Sequence, residues 1–155
     1  MISPELLRRY PFFSTFSPDN LSSIAMITEE IQVANGSILF EEKQPAGFLY
    51  FLIDGGIDLT YKSEEEFHPK TKKVFPVGEV NPGEVFGVSA VIEPYQYNAS
   101  ASANLDSKIL KIDAAGLNQL MQEDSAMGYA LMRQIAKATM ERLTNTRVQL
   151  AAAWA

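Results

Sequence analysis

The stretch Pro82-Gly83-Glu84-Val85-Phe86-Gly87-Val88-Ser89-Ala90, followed by Asn98-Ala99-Ser100-Ala101-Ser102-Ala103, carries the residue types best suited to binding chemistry. It reads as a turn, a short apolar strand, a glycine where the backbone comes close to something, a short helical segment and a second strand. Small residues around such a turn leave backbone N–H groups free to cradle an anion. Gly87 permits close approach, and the N–H groups that follow it would point at a bound anion. Ser89 and Ser100 offer hydroxyl groups to phosphate-like oxygens, although each also reads as a turn or strand residue satisfied locally.

Covalent and metal chemistry find little support. There are no cysteines, which excludes disulfides and thiolate catalysis. The single histidine, His68, sits in the polar run Glu64–Thr71, and one loop histidine cannot assemble a metal site. No Gly-x-Ser-x-Gly elbow and no Walker loop occurs. Glu64, Glu65 and Glu66 are adjacent and do not converge as a catalytic pair would. The expectation is a non-catalytic protein with no catalytic residue, no metal and no resident cofactor.

A formal net charge of −6 argues against a nucleic-acid-binding surface, and the cluster Lys70, Lys72 and Lys73 reads as a solvated loop edge. The N-terminus lacks the apolar run of a secretory signal, and no stretch approaches the length of a membrane span. The expected setting is the cytoplasm, without membrane contact.

The elements that must position the binding segment follow from pattern. At 155 residues and 46% apolar content the chain fits one domain with a real core. Residues 1–28 read as short helices, because Ser3-Pro4-Glu5 and Ser17-Pro18-Asp19 each place a capping hydroxyl before a proline and an acid. Between them Tyr10, Phe12, Phe13 and Phe16 form an aromatic knot suited to packing helices on the next unit.

Residues 29–112 hold short β-prone runs broken by Asn35-Gly36, Gly55-Gly56, Gly78 and Pro82-Gly83, the rhythm of a sandwich or barrel. Ile57-Asp58-Leu59-Thr60-Tyr61 alternates with period two, one face inward and one outward. Residues 113–155 turn helical: Asp113 caps a short helix with Leu117, Leu120 and Met121, and Asp124-Ser125 opens a long one. In that helix Met132, Ala136, Thr139, Leu143, Thr146 and Leu150 recur in alternating steps of four and three, a heptad seam that predicts a homodimer. A second stripe, Met127, Leu131, Ile135 and Ala138, is suited to packing on the β unit.

Helices, a β-roll, a capped helix and a long terminal helix together resemble the cyclic-nucleotide-binding domain, in particular the sensor half of the cyclic-AMP receptor protein (Crp/Fnr) family. The resemblance rests on Gly36-Ser37-Ile38-Leu39-Phe40-Glu41-Glu42, on Pro45-Ala46-Gly47 through Asp54-Gly55, on Pro82–Gly87 leading into a phosphate-binding cassette, and on Arg142-Leu143-Thr144-Asn145-Thr146, similar to the ligand-capping part of the dimer helix. It implies a mainly β fold with flanking helices, a double-stranded β-helix or jelly roll followed by a long dimerisation helix. It also implies a ligand site at Phe86, Gly87, Val88, Ser89, Ala90, Tyr97, Asn98, Ala99 and Ser100, closed by Thr146 and Arg147. The ligand would be a cyclic nucleotide or another small anion.

Two positions depart from that pattern. The residue after the cassette glycine, a ribose-binding glutamate in the family, is Val88. The place of the phosphate-binding arginine is taken by Tyr97, with Asn98 beside it. At roughly 1.5–3 kcal/mol per charged hydrogen bond, losing both turns a micromolar site into a millimolar one. Three readings follow: a different, less anionic ligand with Tyr97 offering a stacking face or hydroxyl; weak nucleotide binding through backbone amides; or a dimerising interaction scaffold that no longer binds nucleotide. The family's regulators carry a helix-turn-helix after the long helix, whereas this sequence ends at Ala151-Ala152-Ala153-Trp154-Ala155, so no direct DNA binding is expected and the downstream protein partner is unknown.

Overall fold

The computed structural model describes residues 1–63 and 73–155. The run Glu64–Thr71, including His68, lies outside the described residues. Two capped helices open the chain: α1 (Pro4–Arg8), where Ser3 Oγ accepts from Glu5 N, and α2 (Pro18–Met26), where Ser17 Oγ accepts from Asn20 N. Each begins on a proline, whose missing N–H costs nothing at that position. Between them Pro11–Phe13 forms a single 3₁₀ turn.

Eight strands follow: β1 (Thr28–Val33), β2 (Ile38–Phe40), β3 (Phe48–Asp54), β4 (Ile57–Ser63), β5 (Lys73–Val80), β6 (Val85–Phe86), β7 (Ser100–Ala103) and β8 (Ser107–Asp113). They form two four-stranded antiparallel sheets, ordered β1-β8-β3-β6 and β2-β7-β4-β5. This is the jelly roll that the turn rhythm and the resemblance predict.

Strand β3 explains why its sequence shows no alternation: it is buried on both faces. Phe51 turns toward the N-terminal segment, where Tyr10, Phe12 and Phe13 pack on it with ring centroids 4.9, 6.0 and 5.1 Å away. Tyr50 turns into the roll and stacks on Phe86 and Phe40. A strand covered on both sides reads as a continuous apolar run. Strand β4 keeps its period: Ile57 and Leu59 are buried, and Tyr61 lies nearly half exposed at the sheet's end.

Two helices close the chain, α3 (Ala114–Glu123) and α4 (Ser125–Ala153), capped by the carboxylates of Asp113 and Asp124. Met127, Leu131 and Ile135 are buried, which fixes the first half of α4 to the domain, and Ala138 packs half-buried beside them. Asn118 of α3 donates to the carbonyl of Ala90, tying that helix to the cassette turn.

Candidate ligand site

The second sheet, the cassette segment and the middle of α4 enclose a cavity of about 360 Å³. Phe40 of β2, Leu59 and Tyr61 of β4 and Val77 of β5 form one side. Val85, Gly87, Val88 and Ser89 form another, continued by Tyr97, Asn98 and Ala99. Five residues of α4 roof it: Ala138, Thr139, Arg142, Leu143 and Thr146. They share a face because steps of three and four residues return to the same side of a helix.

Of the residues singled out in the sequence, Gly87, Val88, Ser89, Tyr97, Asn98, Ala99 and Thr146 line this cavity. The others sit elsewhere. Phe86 and Ala90 are fully buried behind the cassette, in the core. Ser100 braces strands instead: its Oγ accepts from Glu42 N at 3.0 Å, and the Glu42 carboxylate accepts from Lys62 N. Arg147 is exposed and is not among the residues that line the cavity.

Gly87 has φ +72°, a left-handed conformation that glycine adopts without strain. Within the protein, the close approach it permits is to three aromatic rings. A Cβ there would meet Tyr50, Phe40 and Tyr97 at 3.2–3.3 Å, so the glycine makes room for an aromatic stack. Tyr97 completes that stack, its ring 3.8 Å from Phe40 with 13° between the planes. Its hydroxyl donates to the Phe48 carbonyl at 2.7 Å and accepts from Phe48 N. Tyr97 thus offers a ring edge to the cavity and no free hydroxyl. Burial pushes its phenol above the ordinary range, partly offset by the Phe48 bond.

The heptad seam of α4 divides. Thr139, Leu143 and Thr146 lie on the cavity wall and Met132 packs against the domain core, while Ala136 and Leu150 are exposed. Both threonine hydroxyls are engaged with backbone: Thr139 donates to the Ile135 carbonyl, and Thr146 reaches the carbonyls of Arg142 and Val77.

Arg142, which the sequence places in the capping segment but outside the expected ligand site, lines the cavity. Its spacing four before Thr146 was the available signal. It donates to the Val85 carbonyl at 3.0 Å and is the only cationic side chain lining the cavity among the described residues. Burial lowers its pKa from the ordinary guanidinium value, opposed by the Glu84 carboxylate. No carboxylate lies within ion-pair range of it among the described residues.

With this geometry in hand, comparison with known proteins is decisive for the family. The model of the cyclic nucleotide-binding domain matches residues 30–124. The chain belongs to that family. A solved structure from Geobacter metallireducens GS-15, named as a cyclic nucleotide-binding protein, is 36% identical, with a TM-score of 0.79 over 92% of this chain and 99% of that one. A cyclic nucleotide-binding domain from Methylobacillus flagellatus KT shares the fold at 15% identity, TM-score 0.76, over 96% of this chain and 80% of its own.

Among curated proteins, a potassium channel protein of Rhodopseudomonas palustris is 21% identical over 96% of this chain and 34% of its own length. The Pycsar effector protein BcPycTIR of Burkholderia cepacia is 25% identical over 78% and 37% respectively. The chain therefore spans about a third of the curated relatives it matches. No helix of the described residues is long and apolar enough to cross a membrane. The family match ends at residue 124, so helix α4 and its Arg142 lie beyond it.

Proposed function

We propose that this cyclic-nucleotide-binding domain is a non-catalytic, ligand-sensing regulatory module with a divergent cassette. The observation that carries the reading is the cavity itself, in which one wall is the cassette and the roof is α4. A ligand held there touches both, and so stabilises one placement of the helix over others. The output would run along α4, whose far end carries the exposed Leu150 and Trp154 and would pair with a second copy of the chain.

Calorimetric titration with cyclic AMP and cyclic GMP, followed by hydrogen exchange at saturation, tests this. Val88 and Tyr97 in place of charged partners predict millimolar affinity, and slowed exchange on α4 between Ala138 and Thr146. Micromolar affinity would show that backbone and hydroxyl groups suffice for a nucleotide sensor. No heat and no change in exchange at millimolar nucleotide would favour the alternative, a dimerising scaffold that has lost nucleotide binding.

A further inference from the structure

The cavity has one cation and, among the described residues, no carboxylate in its lining. The cation is Arg142, withdrawn from bulk water and hydrogen-bonded to a neutral carbonyl, with the Glu84 carboxylate acting on it by charge from outside ion-pair range. A guanidinium so placed retains a desolvation cost that an anionic partner would relieve. Its bond to Val85 uses one of five N–H donors, and the planar fork suits two-pronged pairing with a carboxylate or similar acid.

The rest of the cavity lining is mostly apolar. Val88 of the cassette lines the cavity with an aliphatic side chain that can accept no hydroxyl. The hydroxyls of Thr139, Thr146 and Tyr97 already donate to backbone carbonyls. Beside the polar tips of Tyr61, Ser89 and Asn98, the remaining lining is aliphatic and aromatic: Leu59, Val77, Val85, Val88 and Leu143, with Phe40 behind. A volume of about 360 Å³ lies in the range that encloses a small organic molecule.

We infer that the cavity binds an amphipathic organic acid, a single anionic group on an apolar, sparsely hydroxylated body, with the anion held by Arg142 of α4 instead of by the cassette. This rests on the reading of the cavity as a ligand site and names its ligand class. It moves charge recognition from the roll to the helix.

Two fluorescent probes separate the questions. 1-Anilinonaphthalene-8-sulfonate is a singly charged aromatic acid, and N-phenyl-1-naphthylamine is the same ring system without the charge. Both should bind the wild-type protein, and both should be lost in the folded cavity-filling variants Ala99→Phe and Val88→Phe. Arg142→Gln should weaken the sulfonate dye at least about tenfold, or about 1.4 kcal/mol, and leave the neutral dye unchanged. Arg142→Lys should restore much of the difference.

Cyclic AMP at micromolar concentration should not displace the sulfonate. If both dyes are lost on filling the cavity but Arg142→Gln spares the sulfonate, the acid-binding inference fails and the ligand-site reading stands. If filling the cavity with either phenylalanine leaves both dyes bound, the ligand-site reading fails, and the inference with it. Displacement by micromolar cyclic AMP would overturn the ligand class directly.

Discussion

The ring of Tyr97 lies flat on Phe40, 3.8 Å between centroids, while its hydroxyl holds the backbone of Phe48 on β3. One residue thereby joins β2, the start of β3 and the cassette turn. Tyr97, which the sequence resemblance sets in the place of a ligand-binding arginine, is a member of the core. A stacked aromatic pair is worth about 0.5–1.5 kcal/mol beyond its buried area, and Tyr50 and Phe86 extend the stack.

Two substitutions at this position separate packing from polarity. Tyr97→Phe keeps the stack and removes both hydrogen bonds to Phe48, with an expected loss of about 1–2 kcal/mol. For a domain of this size that lowers Tm by roughly 2–8 °C in a calorimetric scan. Tyr97→Arg restores the family's residue type but must leave the stack or bury a charge beside Phe40. It should cost about 3 kcal/mol or more without raising cyclic AMP affinity into the micromolar range. A stable, micromolar-binding Tyr97→Arg protein would refute this account of the position.

Gly87→Ala should be destabilising for two reasons that add. The left-handed φ of +72° costs an L-residue about 1–2 kcal/mol, and the new methyl presses on three aromatic rings at 3.2–3.3 Å. Gly36 offers the control: its φ is +92° but nothing lies within 4 Å of the added carbon. Gly36→Ala should show the backbone cost alone. Equal losses in urea melts of the two variants would mean that the aromatic stack does not press on Gly87.

Much of this architecture is legible in the chain because its signals are local. Ser3-Pro4 and Ser17-Pro18 announce helix starts, and Asp113 and Asp124 cap the helices that follow them. The order of turns and short strands yields the roll. What the sequence cannot display is which side chain a neighbour has already claimed. Ser100 reads as a ligand donor until the structure sets it outside the cavity lining, its Oγ accepting from Glu42 N, and Tyr97 reads as a free hydroxyl until Phe48 is found. Arg142 and Arg147 are one and a half helical turns apart, and only the placement of α4 on the roll shows that the first faces the cavity. The seam was drawn along one side of α4, but a helix packed on its own domain divides such a stripe between wall and solvent.

Alkaline pH should act through Tyr50. Burial, reinforced by the neighbouring Tyr97, pushes its phenol up to about 12, whereas the unfolded chain titrates near 10. The folded state therefore holds its proton more tightly than the unfolded state. The associated stability is fully present below about pH 10 and is lost as pH rises through about 12. The loss is on the order of 2 kcal/mol. The urea midpoint of the wild type should fall relative to that of Tyr50→Phe as pH rises across this window, and a constant difference would contradict the assignment.

The outer half of α4 leads to the last prediction. Beyond Thr146, whose hydroxyl reaches the carbonyl of Val77, the helix runs on to Ala153 with every side chain exposed. Isolated turns of helix are marginal in water without an apolar face to bury. Here an exposed apolar stripe does exist: Met140, Leu150 and Trp154 recur at intervals that keep them on one side of the helix. A second copy of the same helix would bury that face, which predicts concentration-dependent dimerisation in sedimentation equilibrium. Met140→Glu with Leu150→Glu should shift the protein to monomer and reduce the helical signal, while the roll, packed through Met127, Leu131 and Ile135, should keep its melting transition. A monomeric mass at every concentration of the wild-type protein would remove the dimer and leave α4 as a roof for its own cavity alone.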